Sequence, residues 1–334
     1  MTRPSRPLRL VVLSGGVGGA RFTRGLLAHL DRTGLEADVT VVANTGDDMT
    51  LHGLRICPDL DTLMYTLAGV VHEEQGWGRR DETRRVADEL APYGVGWEWF
   101  TLGDRDIATH LARTSLLAAG ATLSEATARL SARWDLPVTL RPMADEPVET
   151  HVELADGSLL HFEEWWVRTR AAEVPRRFVQ VGVDEASAAP GVVEAITGAD
   201  AVIVPPSNPV VSVGTILGVP GIAEALSATA APVVGVSPLI GGAPVRGMAD
   251  ACLAAIGVAA TAEAVAVDLR ARHGRLDGWL VDDADAAAVA GLREAGIEAL
   301  ARPLWMTDLD ATAAIAGAAL GLAFELAAGL SQRG

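Results

Sequence analysis

Lysine is absent from all 334 residues, so the 27 residues counted as Lys or Arg are all arginine. That absence excludes a Walker-type phosphate lysine, a Schiff-base lysine and a lysine general base together. Cysteine is nearly absent. Cys57 and Cys252 are too few for a disulfide framework or a zinc ribbon, and they read as two small buried or half-buried side chains. Positive charge is scarce: a net charge of -16 and a pI near 4.8 argue against a nucleic-acid partner, which asks for clustered cations. An anionic ligand must then be met by backbone N–H groups, single arginines or a metal ion. No long apolar run opens the chain, because Gly15 and Gly16 cut off residues 10–13 well short of a signal-peptide core. Residues 311–330 have the length of a membrane span. They include Glu325, are diluted with Ala and Gly, and follow Asp308 and Asp310, which suit a helix start. The segment is read as a packed C-terminal helix, and the chain as soluble and cytoplasmic. There is no internal repeat and no low-complexity linker.

What is present is a repeated grammar of apolar strands that end in glycine, proline, serine or aspartate. Leu8–Ser14 reads as a buried strand closed by glycines, residues 21–30 as a helix, and residues 39–43 as a second strand. Ala201–Val204, 232–236, 279–281 and 298–300 repeat the pattern late in the chain. Strands apolar throughout and alternating with helices imply an α/β fold with a Rossmann-like parallel sheet covered on both faces. In such sheets ligands lie beyond the carboxyl ends of the strands, where the motif-like residues fall. The middle differs. Residues 83–90 and 122–134 look helical, the latter opened by a Thr122/Glu125 capping-box pattern, and residues 149–163 alternate around Asp156-Gly157 as a hairpin does. Residues 75–175 are therefore expected to be a helical and hairpin insertion into a core of 1–74 and 176–334.

Five constellations carry chemistry. Gly15, Gly16, Gly18 and Gly19 crowd the turn between the first strand and helix, more glycine than a turn requires, and suit a phosphate at a helix N-terminus. The dinucleotide fingerprint is not met, since Arg21 stands where its third glycine belongs. Asn44-Thr45-Gly46-Asp47-Asp48 ends the second strand; paired carboxylates there suit Mg²⁺ or ligand hydroxyls, and equally an Asx-rich turn. Asp61 stands before a helical pattern and reads on its own as an N-cap. Asp104-Arg105-Asp106, followed by Thr109 and His110, reads as a surface ion-pair network or as an arginine held to meet substrate. The loops containing Ser207, Asn208 and Arg246 follow two late strands; Ser and Asn suit a base or sugar edge, and Arg246 a phosphate.

Taken in order, GGVGGAR, NTGDD, HGLRICPDLDT, LGDRDIATH, HFEEWWVR, PPSNPVVSVG and SPLIGGAPVRG resemble the CofD/FbiA family of coenzyme F-420 biosynthesis, the FbiA branch above all. The resemblance covers nearly the whole chain. It implies a homodimeric, Mg²⁺-dependent transferase with a Rossmann-like core. A guanosine-diphosphate-linked phosphoenolpyruvyl or 2-phospho-L-lactyl group would pass to the terminal ribityl hydroxyl of the deazaflavin Fo, releasing GMP. On that reading Asp47 and Asp48 hold Mg²⁺ at the reacting centre, and Asp61 and Arg105 contact Fo. Gly15, Gly16, Gly18, Gly19 and Arg246 hold diphosphate, and Ser207 and Asn208 the guanosine side. Where relatives carry an aromatic after the paired aspartates this chain has Thr50, so ring stacking must come from other segments. The competing readings are a non-catalytic regulatory protein that binds nucleotide sugars, and a nicotinamide-dependent oxidoreductase, which the missing third glycine disfavours.

Overall fold

The computed structural model describes residues 6–95 and 99–331. Strands β1 (Leu8–Ser14) and β2 (Ala37–Ala43) are joined by helix α1 (Val17–Thr33). A short hairpin of β3 (Met49–Leu51) and β4 (Leu54–Ile56) leads into α2 (Pro58–Leu67), then α3 (Arg85–Leu90), α4 (Asp104–Ala118) and α5 (Leu123–Ser131). Strand β5 (Thr139–Pro142) precedes β6 (Glu149–Glu153), β7 (Leu159–His161) and β8 (Arg177–Val181). The late strands are β9 (Ala201–Val204), β10 (Val233–Val236), the pair β11 (Leu239–Ile240) and β12 (Ala243–Pro244), β13 (Gly278–Val281) and β14 (Glu298–Ala301).

Seven strands form one parallel sheet in the order β14-β13-β10-β9-β1-β2-β5. The expected α/β architecture is what the chain adopts. Alternation along each strand divides the core in two. Val11 and Leu13 pack on one face with Val202 and Val204, while Leu10 and Val12 pack on the other with Phe22 and Leu26 of α1. All four residues of β9, of β10 and of β13 are buried, which is why these strands read as unbroken apolar runs. The C-terminal helix Leu309–Ser331 packs along α1 and under β9, β10 and β13. It is the one helix among the described residues long and apolar enough to cross a membrane, and it serves here as a core cover.

The segment 75–175 carries the expected helices and hairpin and shares strands with the core. It lends β5 to the edge of the main sheet, in parallel register with β2. Its own sheet, β7-β6-β8, takes a third strand from Arg177–Val181, beyond 175. β5 alternates over only four residues, too few to stand out, and it ends in Pro142, which an edge position tolerates. The hairpin around Asp156-Gly157 and the Thr122/Glu125 capping box both form. Sheet order reverses at β1: the chain runs outward through β2 and β5, then returns to β9 on the other side. That switch point opens a crevice at the strand ends.

Candidate functional site

A cavity of about 1050 Å³ occupies this crevice, lined by the turns after β1, β2 and β9 and by loops of the middle segment. The glycine turn crosses its floor. Gly16 caps α1 and none of the four glycines needs a left-handed backbone, so their role is close approach. A Cβ on Gly16 would overlap Asp59 Oδ1, one on Gly18 would lie 2.5 Å from the Pro206 carbonyl, and one on Gly15 2.6 Å from Ser212. Gly19 is pressed against Ser14 and Ser207. Gly16 and Gly18 face the cavity; Gly15 and Gly19 let the loops after β1 and β9 close on each other, with Gly15 N donating to Ser207 Oγ at 3.2 Å. The first N–H groups of α1 have no helical acceptor and offer an anion site with the positive end of the helix dipole behind it.

Two arginines flank that helix end. Arg246 donates to the Gln75 carbonyl and Arg21 to the Glu73 carbonyl at 3.4 Å. Both guanidiniums lie against Gly76, with Val17 beside them. Burial, then the like charge of Arg21, lowers the Arg246 pKa, as two cations awaiting an anion would show. Arg21 was passed over in the sequence as a missing glycine; its signal was its place one turn into the glycine-capped helix.

On the other side of Gly16 the charge reverses. Asp47 is buried, lines the cavity, and has an Oδ1 with no hydrogen-bond partner. Asp59, at the start of α2, accepts from Asn44 Nδ2 at 2.9 Å. Glu163, just after β7, also faces the cavity. Burial first, then the charges of Asp59, Glu163 and Asp48, holds Asp47 well above the usual carboxylate range. Burial and Asp59 push Glu163 to about 8, and burial lifts Asp59 to about 6 against the Asn44 and Gly16 hydrogen bonds. Three carboxylates, from the turn after β2, the first turn of α2 and the helical turn after β7, share this corner, and among the described residues no arginine or histidine forms an ion pair with them. Asp48 is separated from them: it is fully buried, does not line the cavity, and lies 3.7 Å from Arg55 NH2, with a pKa raised by burial to about 7. Neither Asp59 nor Glu163 was singled out in the sequence. His161 ties the two acidic loops together, its ring accepting from Glu163 N at 3.2 Å and contacting the Asp48 carbonyl at 3.2 Å.

Asp61 is not a helix cap. Pro58 takes the first helical position and Cys57 the cap, so Asp61 falls in the first turn of α2. There it lines the cavity and is paired with Arg113 of α4. Asp106 and His110, one turn apart on α4, line the cavity beside it. Asp61, Asp106 and His110 offer ligand atoms within 4.8 Å of one another, a spacing that suits a metal ion. Arg105 is not brought to the cavity: its side chain is half exposed and bonds the Arg80 carbonyl at 3.2 Å, while Glu82 accepts from its backbone. Asn208 lines the cavity, but its Oδ1 accepts from Val210 N at 2.9 Å and Val211 N at 3.2 Å. Its amide serves the turn before it serves a ligand. Both cysteines are free and buried, as expected.

Stacking surface comes from Trp77, Trp99, Phe100, Trp166 and Trp305, which line the cavity from four separate segments of the chain. Trp166 is 37% exposed and Trp305 52%, whereas Trp165, one residue away, is wholly buried with its Nε1 donating to the Glu173 carbonyl at 2.9 Å. Large, partly exposed rings on a cavity wall are what a flat heteroaromatic ligand needs.

Residues 10–304 match the sequence profile of the CofD family, described as 2-phospho-L-lactate transferase CofD. The chain is 58% identical over 319 residues to the "Phosphoenolpyruvate transferase" of Kitasatospora aureofaciens, covering 95% of this chain and 98% of that one. It is 58% identical over 326 residues to the protein of the same name from Thermobifida fusca, covering 96% and 99%. The corresponding Mycolicibacterium smegmatis protein is 50% identical over 329 residues, covering 95% and 99%. Among solved structures, a member of the UPF0052 family from Bacillus halodurans superposes with a TM-score of 0.63 at 17% identity, covering 95% of this chain and 100% of that one. At that identity the likeness speaks for the fold alone.

Proposed function

We propose, starting from the fact that this chain belongs to the CofD family and is a transferase, that it carries the phosphoenolpyruvyl group to the deazaflavin Fo in coenzyme F-420 biosynthesis. The observation that carries this reading is one cavity in which a helix N-terminus with two arginines, three unneutralised carboxylates and a tryptophan wall meet around Gly16. A diphosphate fits the first, a divalent cation the second and a tricyclic ring the third. The enolpyruvyl donor is preferred to the lactyl one because the similar proteins named above are phosphoenolpyruvate transferases.

The donor is then a guanylated phosphoenolpyruvate, in which GMP and phosphoenolpyruvate share one diphosphate bridge. The terminal ribityl oxygen of Fo attacks the distal phosphorus and a new P–O bond forms. The bond from that phosphorus to the bridging oxygen breaks, GMP leaves with that oxygen, and the hydroxyl proton passes to solvent. Such a step asks for charge neutralisation and alignment more than for a covalent protein group. Arg21, Arg246 and the N–H groups at the start of α1 bind the diphosphate, with Ser207 holding the glycine turn against the loop after β9. Asn208 shapes the guanosine side through its turn. The tryptophans hold the deazaflavin ring, and Asp61 accepts from a ribityl hydroxyl.

Mg²⁺ suits the acidic corner through Asp47, which presents a buried oxygen without a partner to the cavity, although among the described residues only Asp61, Asp106 and His110 bring three ligand atoms within 4.8 Å of one another. Asp47 would hold the ion, with Asp48 behind it and Asp59 and Glu163 in the same corner, and when bound the ion would neutralise diphosphate charge. The domain reading becomes a division of labour, with the core sheet binding nucleotide and the middle segment supplying the acceptor wall. A homodimer in the cytoplasm completes the proposal. The test is turnover: the protein with Fo and Mg²⁺ is given the guanylated enolpyruvyl donor, then the lactyl donor, and products are followed by mass spectrometry. GMP release with the matching mass gain on Fo is expected, faster with the enolpyruvyl donor. Tight nucleotide binding without transfer from either donor would overturn the reading in favour of a regulatory binding protein.

A further inference from the structure

Helix α4 carries Asp106, His110 and Arg113 at helical spacing, so all three share the face turned toward α2. Arg113 is only 1% exposed, and a guanidinium so deep needs its charge met in place. Asp61 meets it as a fork: Oδ2 accepts from NH1 at 3.0 Å and Oδ1 from NH2. The same NH1 lies 3.2 Å from His110 Nδ1. A guanidinium only donates, so Nδ1 accepts and the ring proton sits on Nε2. Nε2 faces Asp106 Oδ1 at 3.5 Å, and that oxygen also takes the Tyr65 hydroxyl at 2.7 Å. One buried cation therefore orders four cavity-lining polar groups: Asp61, Tyr65, Asp106 and His110.

The ligand atoms of Asp61, Asp106 and His110 are spaced for a metal ion, yet Arg113 already stands among them as the compensating charge. We propose that Arg113 is a positioning residue, a built-in cation that fills the metal-like triad and fixes Asp61, Asp106 and His110 as a rigid wall for the acceptor. The triad then binds no divalent ion while Arg113 is present, and a resident metal is left to Asp47, whose buried Oδ1 has no partner. The acceptor half of this inference rests on the transferase reading; the metal half does not.

Two experiments test it. The first needs no substrate: Mn²⁺ binding is titrated by electron paramagnetic resonance on wild type, Asp106→Asn, Arg113→Met and the Arg113→Met/Asp106→Asn double variant. Asp106→Asn should leave wild-type Mn²⁺ affinity within about twofold, whereas Arg113→Met should add a second equivalent that the double variant loses. A tenfold loss of affinity in Asp106→Asn, or no second equivalent in folded Arg113→Met, overturns the proposal. Should Arg113→Met not fold, Arg113→Lys decides, since it keeps the charge and loses the fork. It should raise the KM for Fo by about tenfold while kcat and the donor KM stay within about threefold. Equal changes in donor and acceptor parameters, or an unchanged KM for Fo, overturn it. A wild type that transfers nothing defeats the transferase reading and leaves the Mn²⁺ result standing.

Discussion

Replacing Glu163 by Gln probes the acidic corner without any substrate. Burial first, and then the Asp59 carboxylate, lifts Glu163 from an ordinary value of 4.5 to about 8. The sign follows from which state holds the proton. Between pH 4.5 and about 8 the folded chain keeps a proton that the unfolded chain releases, so stability is highest below this window and falls as pH rises through it. At about 1.4 kcal/mol for each pH unit, the loss reaches a limit of about 5 kcal/mol by pH 8. Glu163 and Asp59 repel each other, so a proton on either relieves the other, and about 2 kcal/mol is the expected effect. Gln keeps the shape and cannot ionise. In EDTA at pH 8, Glu163→Gln should therefore be more stable than wild type by about 2 kcal/mol, a rise in Tm of about 3 °C for a chain of this size. Near pH 4.5 the two should melt together. Millimolar Mg²⁺ at pH 8 should reverse the order, because the ion supplies the missing counter-charge and binds only the folded state. Thermal melts by circular dichroism across pH 4.5 to 8, with EDTA and with Mg²⁺, read all of this. A Glu163→Gln protein no more stable than wild type at pH 8 in EDTA, or as strongly stabilised at pH 4.5, refutes the idea of an acidic corner short of a cation.

The glycine turn and the cavity walls give three more tests. Gly18→Ala sets a Cβ 2.5 Å from the Pro206 carbonyl, a backbone atom that cannot swing away, so a loss of about 2 kcal/mol is expected in urea unfolding. Arg21→Ala and Arg246→Ala should each weaken guanine-nucleotide binding by about 1.5–3 kcal/mol, tenfold or more, in calorimetric titrations, since each removes a charged donor from the same anion. Trp165→Ala should lower stability by about 3–5 kcal/mol with little specific effect on Fo, whereas Trp166→Ala should leave the melt unchanged and weaken Fo binding by about 1–3 kcal/mol. Fluorescence titration with Fo and a urea melt on both variants separate the two outcomes.

The fold was legible because its signals are local. Residues 10–13 of β1 and all of Ala201–Val204 are apolar, which in a sheet covered on both faces is what the packing demands. β5 escaped because a four-residue edge strand has one neighbour and no long apolar run to keep. Its presence in the main sheet is a matter of register with β2, and register is not written in either strand alone. For the same reason the boundaries at 75 and 175 cut across a sheet, since β8 pairs with a strand more than twenty residues earlier.

The site was legible by segment more than by residue. Adjacent aspartates look equivalent in a sequence, yet consecutive side chains leave the backbone in different directions, and Asp47 faces the cavity while Asp48 faces Arg55. Asp59 looked like filler beside Asp61, because only the contact with Gly16, more than forty residues earlier, marks it. Arg105 stood out through its two flanking acids, yet Asp104 turns outward to Thr83 and the Val86 N–H while Asp106 turns inward to Tyr65; Arg113, one helical stripe further on, had no acid near it in the sequence and found Asp61 across space. The absence of lysine also acquires a geometric meaning here. Arg113 must reach two carboxylate oxygens and a ring nitrogen at once, and Arg21 and Arg246 must each bond a backbone carbonyl and still present N–H groups to an anion. A planar fork with five donors can divide itself in this way, whereas a point charge serves one direction at a time. The residue type that composition made conspicuous is the one these sites require.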